Sequence, residues 1–319
     1  MMRILFLGTP EFAIPTLALL IENDYDIAGV VTSVDKPAGR GRKLQFSAVK
    51  KFALENNLNL LHPTNLKDKD FLNELKSLNV DLAIVVAFRM MPEVLWSMPK
   101  FGTFNLHGSL LPQYRGAAPI QRAVMNGEKV TGVTTFFLKQ EIDTGNIIFQ
   151  EEIKIGPDET SGELHDRMKV IGAQLVLKTV KAIENNNIEV KNQSEFIKPG
   201  SELRKAPKIF SDDKILDFTN DVVSLCNQVR GLSPYPAAIC EMKNRKEIDL
   251  DDVKIIRASY ELAEVKTTGK IITDNKTYLK ISASNGFLSI LELRWPGKKS
   301  MRIDEFLRGF SFDEDWIVF

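Results

Sequence analysis

RILFLGTPEFAIPTLALLIENDYDIAGVVT, Arg3 to Thr32, is the stretch on which the reading of the fold turns. Arg3 to Leu7 is an apolar run of the kind buried in a parallel sheet. Gly8-Thr9-Pro10 reads as a strand-to-helix turn, with Thr9 as cap and Pro10 at the first helical position. A helix follows to about Glu22, and Ile27 to Thr32 returns as a second β-branched run. This β-α-β unit predicts an α/β, doubly wound, Rossmann-like domain. Dinucleotide binding, a common use of such a unit, fails on residues, because GTPEFA has one glycine where G-x-G-x-x-G needs three.

Outward from there the alternation continues. Ser47 is placed to cap a helix to about Asn56, Leu58 to Leu61 is a short strand, and Phe71 to Leu78 repeats apolar residues at helical spacing. Asp81 to Ala87 is another buried strand. Phe88-Arg89-Met90-Met91-Pro92 follows at its carboxyl end, where open α/β sheets bind ligands, although Met90 and Met91 serve equally well as core filler. If Thr103 to His107 is a strand, Asn105 and His107 share one face while Phe104 and Leu106 pack on the other. Leu110, Leu111 and Pro112 then leave the sheet, Gly116-Ala117-Ala118 lets the backbone pass close to something, and Pro119 opens a helix. Thr131 to Leu138 and Asn146 to Glu152 read as strands, which places Asp143 in or beside their connection. Thr160-Ser161-Gly162-Glu163 is a capping box opening a helix to about Asn185. His165 on its first turn and His62 in a loop read as structural.

A chain of 319 residues suggests two domains. The expected division is 1–189, a linker at 190–208 where Pro, Gly, Lys and Arg mix, and 209–319. In the last part a helix from Asp221 to Arg230, ended by Gly231, precedes strands near Ala237–Met242, Val253–Ser259, Lys270–Thr273, Thr277–Ser282 and Phe287–Leu293. Short strands in series predict a small OB-like β-barrel.

Composition removes several classes. Hydrophobic residues at 44% and charged residues at 26% are ordinary for a globular protein, and a formal net charge of zero leaves any nucleic-acid contact to local patches. Two cysteines without CxxC spacing and three histidines support neither a disulfide framework nor a metal site. No apolar run has the length of a membrane span, and Ile4 to Leu7 is too short for a signal peptide. A cytoplasmic location is expected.

The motifs Asn105-x-His107, Ser109-Leu110-Leu111-Pro112, Tyr114-Arg115-Gly116-Ala117-Ala118-Pro119-Ile120 and Asp143-Thr144-Gly145 together resemble the signature of folate-dependent formyltransferases. The resemblance spans the chain, is densest between Phe104 and Ile120, and thins after about residue 205. It implies formyl transfer from 10-formyltetrahydrofolate to an amine, with no metal, through a tetrahedral intermediate bearing a negative oxygen. Asn105 and His107 would donate to that oxygen, each such donor being typically worth about 10²–10³ in rate, and Asp143 would orient His107. A protein nucleophile is not indicated, since no Ser or Cys stands in recognisable spacing with a base and orienter. Ser109, Leu110, Leu111, Pro112, Phe88 and Met90 would line the folate site.

The resemblance also implies action on methionyl initiator tRNA; a monomer is expected, although the sequence itself does not reveal oligomeric state. The basic loop from Asp35 to Lys43 would engage the acceptor stem, with Arg42 first and Lys43 and Arg40 behind it, and the barrel would bind tRNA through Lys298 and Lys299. On residues alone, the loop is also a solvated segment excluded from regular structure by its Gly and Pro. The cluster of Arg294, Lys298, Lys299 and Arg302 around Trp295 is also a solvated face. Asn105, His107 and Asp143 would equally serve a small amine such as glycinamide ribonucleotide or an amino-sugar nucleotide.

Overall fold

The computed structural model describes residues 2–38, 43–197, 200, 202–244 and 251–318. They divide into two compact units, the first comprising Met1–Gly116, Thr131–Lys154 and His165–Lys205, the second Ala117–Val130, Ile155–Leu164 and Ala206–Phe319. Among the described residues no helix is long and apolar enough to cross a membrane.

The chain opens with β1 (Arg3–Gly8), α1 (Ile14–Glu22), β2 (Asp26–Val31), β3 (Lys36–Ala38), β4 (Lys43–Gln45), α2 (Ala48–Glu55), β5 (Leu60–Leu61), α3 (Lys69–Ser77) and β6 (Leu82–Val86). It continues through α4 (Glu93–Trp96), β7 (Thr103–His107), β8 (Arg115–Gly116), α5 (Pro119–Met125), β9 (Val130–Phe137), β10 (Ile147–Lys154), α6 (Ser161–Glu184) and β11 (Lys205–Ala206). The first unit is built on a seven-stranded sheet in the order β10-β9-β7-β6-β1-β2-β5. β1 pairs in parallel with β2 and β6, and β7 is parallel to β6 but antiparallel to β9. The strand order therefore runs outward in both directions from β1, and the carboxyl ends of β6 and β7 meet beside that switch point, where such sheets place their sites. Phe6, Phe104 and Phe136 are fully buried in this sheet. Leu106 projects to the face covered by α6, where a β-carbon on Gly172 would lie 2.7 Å from its Cδ2, so the glycine is what allows that contact.

Two local expectations differ from the structure. Thr9 does not cap a helix: Pro10 is extended (φ −81°, ψ 173°), a 3₁₀ turn at Glu11–Ala13 follows, and α1 starts only at Ile14. The glycine before it serves packing, since a β-carbon on Gly8 would sit 2.8 Å from that of Ala13. The basic segment also carries regular structure at its base. Lys36, Pro37 and Ala38 pair antiparallel with Gln45, Leu44 and Lys43, and the Asp35 carboxylate accepts from Lys50 Nζ at 2.7 Å.

In the second unit α7 (Val222–Leu232) is followed by β12 (Ala238–Asn244), β13 (Asp251–Leu262), β14 (Ile271–Thr273), β15 (Leu279–Ala283), β16 (Gly286–Arg294), β17 (Met301–Arg302), α8 (Ile303–Phe306) and β18 (Trp316–Val318). The strands form an antiparallel, nearly closed barrel-like sheet in the order β14-β15-β16-β13-β12-β18, with β17 added to β16. At its seam Gly269, at φ +72°, lies close enough to Val318 that a β-carbon would stand 3.2 Å from the Val318 carbonyl. Gly231 does not end the preceding helix, which runs on to Leu232 before Pro234. It lies where α5 crosses α7, and a β-carbon there would be 2.8 Å from the Met125 backbone nitrogen. Helix crossing, not termination, requires this glycine.

Candidate active site

Strand pleating places the first two polar groups. Within β7, Phe104 and Leu106 are buried in the sheet, while Asn105 is half-buried and His107 is 5% exposed at the strand's carboxyl end. Among the described residues the Asn105 amide has no hydrogen-bond partner, so its donors remain open to a ligand. The His107 ring is held on two sides. Its Nε2 lies 2.9 Å from the Tyr114 carbonyl, an acceptor only, so Nε2 carries the proton. The other ring nitrogen faces Asp143 Oδ2 at 3.8 Å, too far for a hydrogen bond, and the pair attracts only when the ring carries a second proton. Phe136 packs against the ring edge-on.

The loop after β7 is shaped from behind. Ser109 Oγ donates to the Gln113 carbonyl at 2.6 Å, Thr134 Oγ1 donates to the Ser109 carbonyl at 2.6 Å, and Leu111 packs with Phe136 and Ile147. Tyr114 (φ 58°) and Gly116 (φ 128°) then turn the chain back toward the site.

The connection between β9 and β10 brings Asp143 to this point. Asp143 takes a left-handed conformation (φ 54°), and its Oδ2 accepts the Gly116 amide at 3.0 Å. Gly145 is obligatory two residues on, because a β-carbon there would lie 1.5 Å from the Phe137 carbonyl oxygen. Gln193, on the 3₁₀ turn Gln193–Phe196, holds the same connection. Its Nε2 donates to the carbonyls of Asp143 and Gly145, both at 2.8 Å, and its Oε1 accepts from Arg115 Nε and Nη2. A left-handed non-glycine residue costs about 1–2 kcal/mol, while two hydrogen bonds in a buried setting return about 1 kcal/mol each, so the clamp offsets the strain at Asp143. Reading the sequence missed Gln193 because the segment looks like an exposed connector. The one available signal was the run Asn192 to Glu195, a capping box set inside it.

Among the described residues this site gathers groups able to stabilise charge and presents no free nucleophile. Ser109 is fully buried and its hydroxyl is committed. Both cysteines lie in the second unit, and burial raises both thiols, Cys240 far above the ordinary range. What remains is a donor amide, an imidazole and a carboxylate at the end of a parallel strand.

Comparison with known proteins meets this arrangement. The formyl transferase family matches residues 2–180, and the formyl transferase C-terminal domain matches residues 208–311. The chain belongs to the formyl transferase family. A methionyl-tRNA formyltransferase of Flavobacterium johnsoniae is 49% identical over 100% of this chain and 99% of its own. That of Bacteroides thetaiotaomicron is 47% identical over 99% and 98%. Among solved structures, WlaRD, a sugar 3N-formyl transferase with dTDP and 5-N-formyl-THF, superposes with TM-score 0.63 at 23% identity, over 94% of this chain and 99% of its own. HypX from Aquifex aeolicus in complex with tetrahydrofolic acid gives 0.61 at 19%, over 100% of this chain and 51% of its own. At those identities the two structures speak for the formyl transferase fold alone.

Of the residues expected at a formyl transferase's folate site, Ser109, Leu111 and Pro112 are buried within the wall, while Leu110 and Phe88 are half-buried and Met90 is 71% exposed. Phe88 also packs against the core of the first unit. Of the residues expected to contact tRNA, Arg40 and Arg42 lie outside the described residues, and Lys43 is the β4 partner of Ala38. Lys298 and Lys299 are exposed, but the aromatic residue beside them is not: Trp295 is 9% exposed and packs against Phe306, Phe310, Phe312 and Trp316. The Trp295 ring is therefore not presented to that basic face for stacking.

Proposed function

We propose that this chain transfers the formyl group of 10-formyltetrahydrofolate to the α-amino group of methionyl initiator tRNA. The observation that carries the reading is 49% identity along the whole chain to a relative named for that activity. Such identity covers the second unit as well as the first, and an acceptor that is a macromolecule gives a second domain something to hold. On this reading residues 1–189 form the formyltransferase domain, 190–208 a linker and 209–319 a tRNA-binding barrel, in a cytoplasmic monomer.

The residues divide the work as their surroundings allow. Asn105 donates to the oxygen on which charge develops. His107 does the same through Nε2–H once the Tyr114 carbonyl gives way to that oxygen, while Asp143 keeps the ring oriented and stabilises positive charge on it. The attacking amine supplies the nucleophile. Leu110, Phe88 and Met90 border the folate ring, with Ser109, Leu111 and Pro112 supporting them, and Arg40, Arg42, Lys43, Lys298 and Lys299 meet phosphates.

The test offers the purified protein 10-formyltetrahydrofolate with charged initiator tRNA, charged elongator tRNA, glycinamide ribonucleotide and an amino-sugar nucleotide in parallel. Efficient formylation of the first alone is expected. Preference for either small amine overturns the assignment of acceptor and leaves the formyl-transfer chemistry in place.

A further inference from the structure

Gln193 is 3% exposed, and its side-chain amide is fully used in one orientation only. Oε1 faces a guanidinium, which can only donate, and Nε2 faces two carbonyls, which can only accept, so no flipped amide satisfies the set. Those four bonds connect two segments that both touch the Asp143 carboxylate. Arg115 is followed by Gly116, whose amide donates to Asp143 Oδ2, and Asp143 itself receives one of the two bonds from Nε2. The result is a closed ring in which Gly116 holds the Asp143 carboxylate, and Gln193, itself held by Arg115, holds the Asp143 backbone carbonyl.

The segment carrying Gln193 does not need this side chain for its own position. Lys191 and Ile147 exchange both backbone hydrogen bonds, at 2.9 and 2.8 Å, and Asn192 and Glu195 cap the 3₁₀ turn. The amide is thus directed at the connection around Asp143, and not spent on its own turn. We propose that Gln193 is a positioning residue for formyl transfer, acting through Asp143 and Arg115 to fix the carboxylate that orients His107. This rests on the formyl-transfer reading above, and its test is arranged so that the two can fail separately.

Gln193→Ala is expected to lower kcat about 10–100-fold, with KM for the formyl donor and for the amine acceptor each within about twofold of wild type, as expected for a misplaced reacting group. Gln193→Glu keeps an acceptor for Arg115 but loses the donors to the Asp143 and Gly145 carbonyls, so it is expected to be as impaired as the alanine variant. In substrate-free protein, hydrogen exchange read by NMR should show the Gly116 amide exchanging about tenfold faster in both variants, while the Ile147 and Lys191 amides keep their protection. Wild-type kcat in Gln193→Ala, or in Gln193→Glu, overturns the proposal, as does unchanged exchange at Gly116. Equal loss of protection at Ile147 and Lys191 also overturns it, since Gln193 would then be a general strut. If the wild-type protein formylates no amine, the functional reading falls, and exchange at Gly116 still decides whether Gln193 holds Asp143.

Discussion

The neighbourhood of His107 and the surface around Lys298 both carry polar groups, and they hold them in opposite ways. The His107 and Asp143 side chains are 6% and 12% exposed, and the groups around them are tied by Gly116, Tyr114 and Gln193. At Lys298 and Lys299 the cations are in solvent, Lys298 lies 5.7 Å from the Phe306 ring, and nearby Arg302 is 75% exposed beside Asp304. Charge stabilisation in a reaction depends on donors held at fixed angles where water cannot compensate. Phosphate attraction depends on net positive charge, tolerates mobile side chains and is screened by salt. The first kind of region should break under a change of one atom's position, the second only under loss of charge.

The largest expected effect tests the first half of that contrast. His107→Ala and Asn105→Ala should each reduce kcat by about 10²–10⁴ with tRNA binding little changed, measured by steady-state formylation and by filter binding. Wild-type turnover in either variant would remove the buried network from the chemistry. Next, Gly145→Ala replaces a hydrogen by a methyl group that would overlap the Phe137 carbonyl, at 1.5 Å. The β9–β10 connection must then move, and kcat should fall at least tenfold although no reacting side chain is altered. A variant of normal rate would mean that the position of Asp143 is loosely set.

The sequence made the sheet and the candidate trio of Asn105, His107 and Asp143 legible because period-two patterning, β-branched runs and three short motifs are local signals. It left Gln193 hidden, since its role depends on carbonyls 48 and 50 residues away, and nothing in a run of Lys, Pro and Gly marks one glutamine as buried. The same limit applies to Gly231, which looks like a helix terminator until α5 is brought against it, and to Trp295, which reads as a surface ring until four other aromatic residues surround it. Thr9 misleads in a smaller way, because a single extended proline delays the helix beyond its reach.

Smaller effects test the second half. Arg42→Ala and the double change Lys298→Ala with Lys299→Ala should each weaken tRNA binding several-fold and flatten the dependence of log Kd on log salt, by about one phosphate's worth per cation removed. Unchanged slopes would move the contact elsewhere. The smallest expected effect concerns a pair of intermediate exposure in the second unit. Arg122 Nη2 donates to Asp213 Oδ2 at 2.8 Å, and that hydrogen bond holds the Asp213 carboxyl below the usual carboxylate range. A depressed folded value means stability that is present above the unfolded value of about 3.9 and lost as pH falls through the folded one. Asp213→Asn should therefore cost about 0.5–1 kcal/mol at neutral pH. In thermal melts the gap from wild type should close as pH drops below about 4. A gap that persists in acid would assign the contribution to packing.

The spacing of the Gln193 clamp along the chain also orders events during synthesis. Asn105, His107 and Asp143 emerge first, and the amide that ties Asp143 follows 50 residues later, after the 24 residues of α6. At about 5–20 residues per second this is a delay of about 3–10 s. On the proposed roles, a nascent chain would for that interval own Asn105, His107 and Asp143 and lack the side chain that clamps Asp143, so competence would arrive with the segment after the last helix of the first unit and not with the motifs themselves.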